Sequence, residues 1–237
     1  MSFHIIIPAR YASSRFPGKV LAPIGNQSML EHVWRRAMMT EAKSVTIAVD
    51  DERVLKVAES FGAQVIMTGS DHPTGTDRLF EAVQRLAFDI NDVVVNVQAD
   101  EPVIPVENVH QVAANCSLPG IDVATLCEPI LDPEEFESPN VVKVVVDKNN
   151  RALYFSRAAI PHKGPGLRHI GLYAYRAGFL LNLHTLYASP LEKSENLEQL
   201  RWLYNGAVIQ VEKAKLSTPI GVDTEADLIK VSAFINS

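Results

Sequence analysis

Residues 3–19 read Phe3-His4-Ile5-Ile6-Ile7-Pro8-Ala9-Arg10-Tyr11-Ala12-Ser13-Ser14-Arg15-Phe16-Pro17-Gly18-Lys19. The apolar run from Phe3 to Ile7 has the composition of a parallel strand buried on both faces. It is expected to stop at Pro8, whose nitrogen has no hydrogen to give a sheet ladder. The loop that follows mixes small and hydroxyl residues with Arg10, Arg15 and Lys19. In an open α/β sheet, ligands bind outside the carboxyl ends of the strands. Three cations there, with backbone N–H groups that small side chains leave accessible, suit a polyanion such as a nucleoside triphosphate. A solvated surface loop would carry the same charges; the position after the first strand favours a ligand site.

Outward from that stretch, helical and strand periods alternate. Residues 27–39 place Met29, Leu30, Val33, Trp34 and Ala37 at helical spacing, and 44–49 read as a strand. Asp50 or Asp51 caps a helix carrying Val54, Leu55, Val57 and Ala58. Residues 63–67 form a third short strand, and Thr74-Gly75-Thr76-Asp77-Arg78-Leu79 opens a helix with Leu79, Phe80, Val83 and Leu86 inward. Residues 92–97 are an unbroken apolar strand. This rhythm predicts a doubly wound, mostly parallel sheet with right-handed crossovers. Further strands are predicted at 121–127, 141–147, 152–156, 170–175 and 207–213. Ser189-Pro190-Leu191-Glu192 starts a helix expected to run to Gly206. Thr224 and Asp227 cap a last helix with Leu228, Val231 and Phe234 inward. The 237 residues read as one domain, with an insertion at about 130–215 forming a smaller lobe or a dimer surface.

Composition narrows the class. Hydrophobic residues make up 47% and charged residues 21%, a globular balance without a membrane-length apolar run. The net charge of −6 argues against non-specific nucleic-acid binding and leaves the basic loop as a local feature. Cys116 and Cys127 form no metal or redox motif, and no secretory signal is evident, so a reduced, cytoplasmic setting is expected. G-x-G-x-x-G, Walker A, nucleophile-elbow and zinc patterns are all missing.

Two acidic positions suit metal chemistry. The strand 92–97 runs into Gln98-Ala99-Asp100-Glu101-Pro102, and a carboxylate at such a strand end faces the crevice. Beside a triphosphate it would hold Mg²⁺, a hard ion that takes few carboxylates and completes its shell with phosphate and water. Simple capping of the next turn reads equally well. Pro219-Ile220-Gly221-Val222-Asp223-Thr224 repeats the arrangement, and Asp223 would be the second carboxylate. Thr74, Gly75 and Thr76 lie at a helix N-terminus that favours anions or polar groups, while Arg78 one turn on reads as an ion pair with Glu81 or Asp77. On 168–176 the alternation puts His169, Gly171, Tyr173 and Tyr175 on one side of a strand. Their hydroxyls and imidazole suit a polyhydroxylated substrate, though a lone His is more often structural.

Read together, these motifs resemble the CMP-Kdo synthetases, the 3-deoxy-manno-octulosonate cytidylyltransferases of Gram-negative bacteria, through nearly the whole chain. The carriers are residues 7–15 with Pro17-Gly18-Lys19, Thr74-Gly75-Thr76-Asp77-Arg78-Leu79, Val95-Asn96-Val97-Gln98-Ala99-Asp100-Glu101-Pro102, Ala152-Leu153-Tyr154-Phe155-Ser156-Arg157, 168–173, Leu197-Glu198-Gln199-Leu200-Arg201 and Gly221-Val222-Asp223-Thr224. The resemblance implies a nucleotide-diphospho-sugar-transferase-like fold, and a reaction of CTP with the eight-carbon sugar acid Kdo to CMP-Kdo and pyrophosphate. It implies that Arg10, Ser13, Arg15 and Lys19 hold the triphosphate, that Pro8 and Ala9 face the cytosine, and that Thr74, Thr76 and Gln98 join them. Arg78, Gln98, His169, Tyr173, Glu198 and Gln199 would hold Kdo. Asp100 and Asp223 would bind Mg²⁺ and act with Lys19 in catalysis, and the enzyme would be a homodimer. Two departures stand out: Ala99 replaces the family's usual Gly, and the segment 161–167 is short. The second bears on sugar choice, with 8-amino-Kdo as an alternative acceptor; sialic acid is a separate alternative, against which Arg78, His169 and the Glu198-Gln199 pair speak. A non-catalytic nucleotide sensor on the same fold is the reading from another class.

Overall fold

The computed structural model describes residues 2–12, 16–72, 74–218 and 221–235. β1 (His4–Ala9), β4 (Ser44–Val49), β5 (Gln64–Met67) and β6 (Val93–Asn96) run parallel. β7 (Val123–Pro129) and β11 (Ile209–Lys213) are parallel to each other, and β10 (Leu167–Arg176) lies antiparallel between β6 and β7. The strand order is β11-β7-β10-β6-β1-β4-β5. β8 (Lys143–Val146) and β9 (Ala152–Ser156) form a hairpin that joins β10 at its side. The segment 130–215 is thus divided, with β10 and β11 in the principal sheet and β8–β9 beside it. β2 (Pro23–Ile24) and β3 (Gln27–Ser28) make a separate two-strand ladder.

Helices cover both faces, as the alternating pattern requires. Against Ile5, Ile7 and Ala9 pack α1 (Met29–Met38), α2 (Glu52–Ser60) and α4 (Val106–Cys116). Against Ile6, on the other face, pack α3 (Gly75–Leu86), α6 (Ala177–Leu181) and α8 (Gln199–Tyr204). Ile5, Ile6 and Ile7 are fully buried, each contributing roughly 1.5–3 kcal/mol. The remaining helices are α5 (Pro133–Glu137), α7 (Pro190–Glu195) and α9 (Glu225–Ile235). No helix among the described residues is long and apolar enough to cross a membrane.

Four expectations are corrected. β1 does not stop at Pro8 but continues to Ala9, paired with β4 along its whole length. Ile6 accepts from Val97 N, so Ile6 and, two residues on, Pro8 turn their backbone groups toward β6. Pairing with β6 ends at Ile6, so the missing hydrogen of Pro8 breaks no bond. The helix begun at Pro190 breaks at Asn196, whose φ of 53° is left-handed, and α8 starts afresh at Gln199. Phe234 is 64% exposed rather than inward; Val231 is the buried residue of α9. In β10 the register slips between Ile170 and Tyr173, so Gly171 falls in a bulge while His169, Tyr173 and Tyr175 keep one face.

Candidate active site

The carboxyl ends of β1 and β6 open into a cleft of about 290 Å³. Pro8 enters from the end of β1, Arg10 and Lys19 from the loop after it, Gln98, Ala99 and Asp100 from the turn after β6, and His72, Thr74, Gly75 and Arg78 from the approach to α3 and its first turn. Gly18 sets up Lys19. Its φ of 72° is left-handed, its N–H donates to Tyr11 O at 2.9 Å, and a Cβ there would meet the Tyr11 ring at 3.2 Å. Lys19 Nζ then donates to Asp100 Oδ2 at 2.6 Å, Asp223 Oδ1 at 3.1 Å and Val222 O at 3.0 Å. The two carboxylates, far apart along the chain, therefore share one ammonium. Backbone bonding fixes the junction, since Val222 N donates to Asp100 O at 2.8 Å. Ala99 has no positive φ and its methyl group is buried, so the substitution for Gly is accommodated. Burial, with the neighbouring Asp100 charge, pushes the Glu101 carboxyl up to about 8.

Arg78 is not on the surface and does not pair with Glu81 or Asp77. It is 3% exposed, ion-paired with Asp50 Oδ2 at 2.9 Å, and donates to Gly69 O and to the Thr68 hydroxyl. Asp50 also accepts from Tyr11 N at 3.0 Å, tying the first loop to α3. Asp51, not Asp50, caps α2. Glu81 instead takes His72 and Arg85. Asp77 closes a capping box with Thr74.

A second cleft, of about 170 Å³, adjoins the first, and Gly75 and Gln98 line both. Tyr173 and Tyr175 of β10, Asn96 of β6, Thr76 of α3, and Glu198, Gln199 and Trp202 at α8 close it. Thr76 donates to Glu198 Oε2 at 2.7 Å, and Arg201 to Oε1 at 3.2 Å. Burial nonetheless raises the Glu198 carboxyl above its ordinary range. Burial also holds the Tyr173 and Tyr175 phenols well above theirs, so both stay protonated. The His169 ring lies edge-on to Phe155 and tilted against Tyr173, with Nε2 on the Thr125 hydroxyl at 3.0 Å. Burial lowers its pKa to about 3, leaving a neutral imidazole. Thr125 also reaches Ile170 O and Leu172 O, filling the bulge of β10.

A family profile described as cytidylyltransferase matches residues 4–214. The chain belongs to the cytidylyltransferase family. It is 49% identical over 243 residues to the 3-deoxy-manno-octulosonate cytidylyltransferase of Francisella philomiragia, covering 98% of this chain and 97% of the relative. Among solved structures it resembles a CMP:2-keto-3-deoxy-manno-octonic acid synthetase complexed with CTP, at TM-score 0.93 and 41% identity, covering 100% of this chain and 99% of that one. A cytidylyltransferase from Leptospira borgpetersenii, at TM-score 0.66 and 16% identity, covers 100% of this chain and 87% of that one and supports the fold alone.

In this cytidylyltransferase the expected residues that the structure describes fall into three groups. Pro8, Arg10, Lys19, Thr74, Arg78, Gln98 and Asp100 gather around the first cleft, with Asp223 joined through Lys19. Thr76, Gln98, Tyr173, Glu198 and Gln199 gather around the second. Ala9 and His169 line neither: the Ala9 side chain is buried in the core, and His169 reaches the second cleft only through its contact with Tyr173. Ser13 and Arg15 lie outside the described residues. The sequence assigns no site role to Asp50, weighed there only as a helix cap, nor to Asn96 or Trp202. Asp50 and Asn96 had a signal, since each is a polar residue at the carboxyl end of an apolar strand. Trp202 had none, sitting among leucines in a helical pattern.

Proposed function

We propose that this cytidylyltransferase transfers CMP from CTP to Kdo, releasing pyrophosphate, in the supply of activated sugar for lipopolysaccharide. The observation that carries the reading is the pair of adjoining clefts: one lined by Arg10, Lys19 and Arg78, the other by hydroxyl, amide and carboxyl groups, meeting at Gly75 and Gln98. The names of the relatives point to the same reaction. The anomeric hydroxyl oxygen of the sugar forms a bond to the α-phosphorus. The bond from that phosphorus to the bridging oxygen breaks, and pyrophosphate leaves with the electron pair. The hydroxyl proton passes to solvent. Arg10 and Lys19 stabilise charge on the phosphate oxygens, and the second cleft orients the sugar, so no side-chain nucleophile is required.

Mg²⁺ fits the donor set. Two carboxylate oxygens and the Val222 carbonyl already converge on one cation, the Lys19 ammonium, and hard oxygen donors of this kind suit a small divalent ion. Asp100 and Asp223 would hold it, and when bound it supplies charge neutralisation on the phosphates. A cytoplasmic setting suits the two unpaired thiols, Cys116 and Cys127. A homodimer through the 130–215 segment completes the proposal; the exposed Leu153 and Tyr187 of that segment supply apolar surface.

Pyrophosphate release from CTP, measured with Kdo, 8-amino-Kdo and sialic acid, tests the reaction. Release with Kdo above the other two is expected; CTP binding with no release from any acid would leave only a nucleotide sensor. Asp100→Asn should lower turnover by about 10²–10³. A near-normal rate at saturating Mg²⁺ would remove the metal assignment.

A further inference from the structure

The second cleft holds two polar atoms that the protein leaves unsatisfied. Asn96 is 3% exposed and Trp202 is 1% exposed. Asn96 Oδ1 and Trp202 Nε1 find no hydrogen-bond partner among the described residues. Both side chains line the cleft, beside Tyr173, Glu198 and Gln199. Leaving such a group unpaired costs about 1–3 kcal/mol, so orphans of this kind are few in native proteins and call for an explanation. Here the two side chains that carry one acceptor and one donor line a single cavity.

Tyr175 and Asn96 line the cleft together, and Oδ1 of Asn96 is left over. The indole of Trp202 stands across the rings of Tyr173, Tyr175 and Phe179, at 79°, 81° and 82°, with centroids 5.4, 5.5 and 6.0 Å away. Such edge-to-face contacts hold the ring in one orientation. The cations Arg10, Lys19 and Arg78 line the other cleft, whereas this one offers a carboxyl, three amides, a hydroxyl and two phenols. That set suits neutral hydroxyls rather than a carboxylate.

We infer that Asn96 and Trp202 are specificity-determining residues that bind two hydroxyls of a polyhydroxylated acid sugar. A sugar hydroxyl donates to Asn96 Oδ1, and a sugar oxygen accepts from the Trp202 indole N–H. The inference rests on the reading of the protein as a transferase to an acid sugar. It extends that reading to discrimination, because a site that hydrogen-bonds a substrate hydroxyl rejects an analogue lacking it.

Trp202→Phe keeps an aromatic ring and removes the N–H; Asn96→Leu keeps the approximate shape and removes the carbonyl. Pyrophosphate release at saturating CTP, with Kdo varied, should show KM for Kdo raised about 3- to 10-fold in each, with KM for CTP within about twofold. Deoxy analogues of Kdo, each lacking one hydroxyl, should show one compound whose penalty in the wild type disappears in Trp202→Phe. That analogue series also serves if Asn96→Leu fails to fold. Unchanged KM for Kdo in both variants, with the wild type active, would overturn the inference and leave the indole N–H directed at the neighbouring ring faces. A wild type that turns over no acid sugar would instead overturn the transferase reading, and this inference with it.

Discussion

Lys19→Met keeps most of the side-chain length and removes the charge that Asp100 and Asp223 share. The two oxygens lie 2.6 and 3.1 Å from Nζ, so they are no more than about 6 Å apart. Two unit charges at that distance repel by about 2–3 kcal/mol at an effective dielectric of about 20, and by under about 1 kcal/mol in bulk water. The Asp100 and Asp223 side chains are 29% and 47% exposed, so solvent pulls the figure down. Release of an ammonium that is only 13% exposed offsets part of the remainder. The variant should lose about 1–2 kcal/mol, which for a chain of this length lowers the thermal midpoint by about 2–8 °C. Freed of the ammonium, the carboxylates should take Mg²⁺ more readily. Melts recorded with and without Mg²⁺ should therefore show a larger upward shift in Lys19→Met than in the wild type. Turnover should fall by about 10²–10³, because a phosphate-stabilising charge is gone. An unchanged midpoint, or equal Mg²⁺ responses in the two proteins, would refute the view that Lys19 bridges a pair of metal-ready carboxylates.

Arg78→Met strands Asp50, whose side chain is 9% exposed, and should cost about 3–5 kcal/mol by urea unfolding. Adding Asp50→Asn should recover part of that loss. Burial lowers the His169 pKa to about 3 from the ordinary 6.5 of a free imidazole, so the unfolded chain binds the proton first. Stability should therefore fall as pH drops from about 6.5 toward 3, and His169→Gln should reduce the difference between urea midpoints at pH 7 and pH 4.5. Burial pushes the Cys116 and Cys127 thiols up to about 12 and about 11, so a thiol reagent at pH 8 should label neither in the native protein and both in urea.

Much of the sheet was legible because its pattern is local. The apolar runs 44–49 and 93–96 fix strands by composition, and the capping residues Thr74 and Thr224 mark helix starts within a residue or two. What stayed illegible depends on distant partners. Whether Asp50 or Asp51 caps α2 turns on Arg78, 28 residues on, which claims Asp50. The helix from Pro190 carries leucines at a plausible spacing, yet Asn196 turns left-handed and Glu198 faces Thr76 across the cleft. Periodicity along one segment cannot register a contact made by another.

The same distinction explains how the site is assembled. β1 and β6 are neighbours in the sheet, so the loops at their carboxyl ends must share a crevice, and Lys19 and Asp100 follow from topology. Asp223 has no such guarantee, because its segment follows β11, an edge strand three places from β6. It is brought in by two bonds at Val222, whose N–H donates to Asp100 O and whose carbonyl accepts from Lys19 Nζ. Val222 is itself fully buried, packed with Val103 and Val231. The second carboxylate is thus held by a small apolar cluster rather than by the sheet. A substitution that loosens that cluster, such as Val231→Ala, should weaken the response to Mg²⁺ while sparing the affinity for CTP. If both fell together, the Asp223 segment would be part of the nucleotide cleft itself rather than a separately anchored arm.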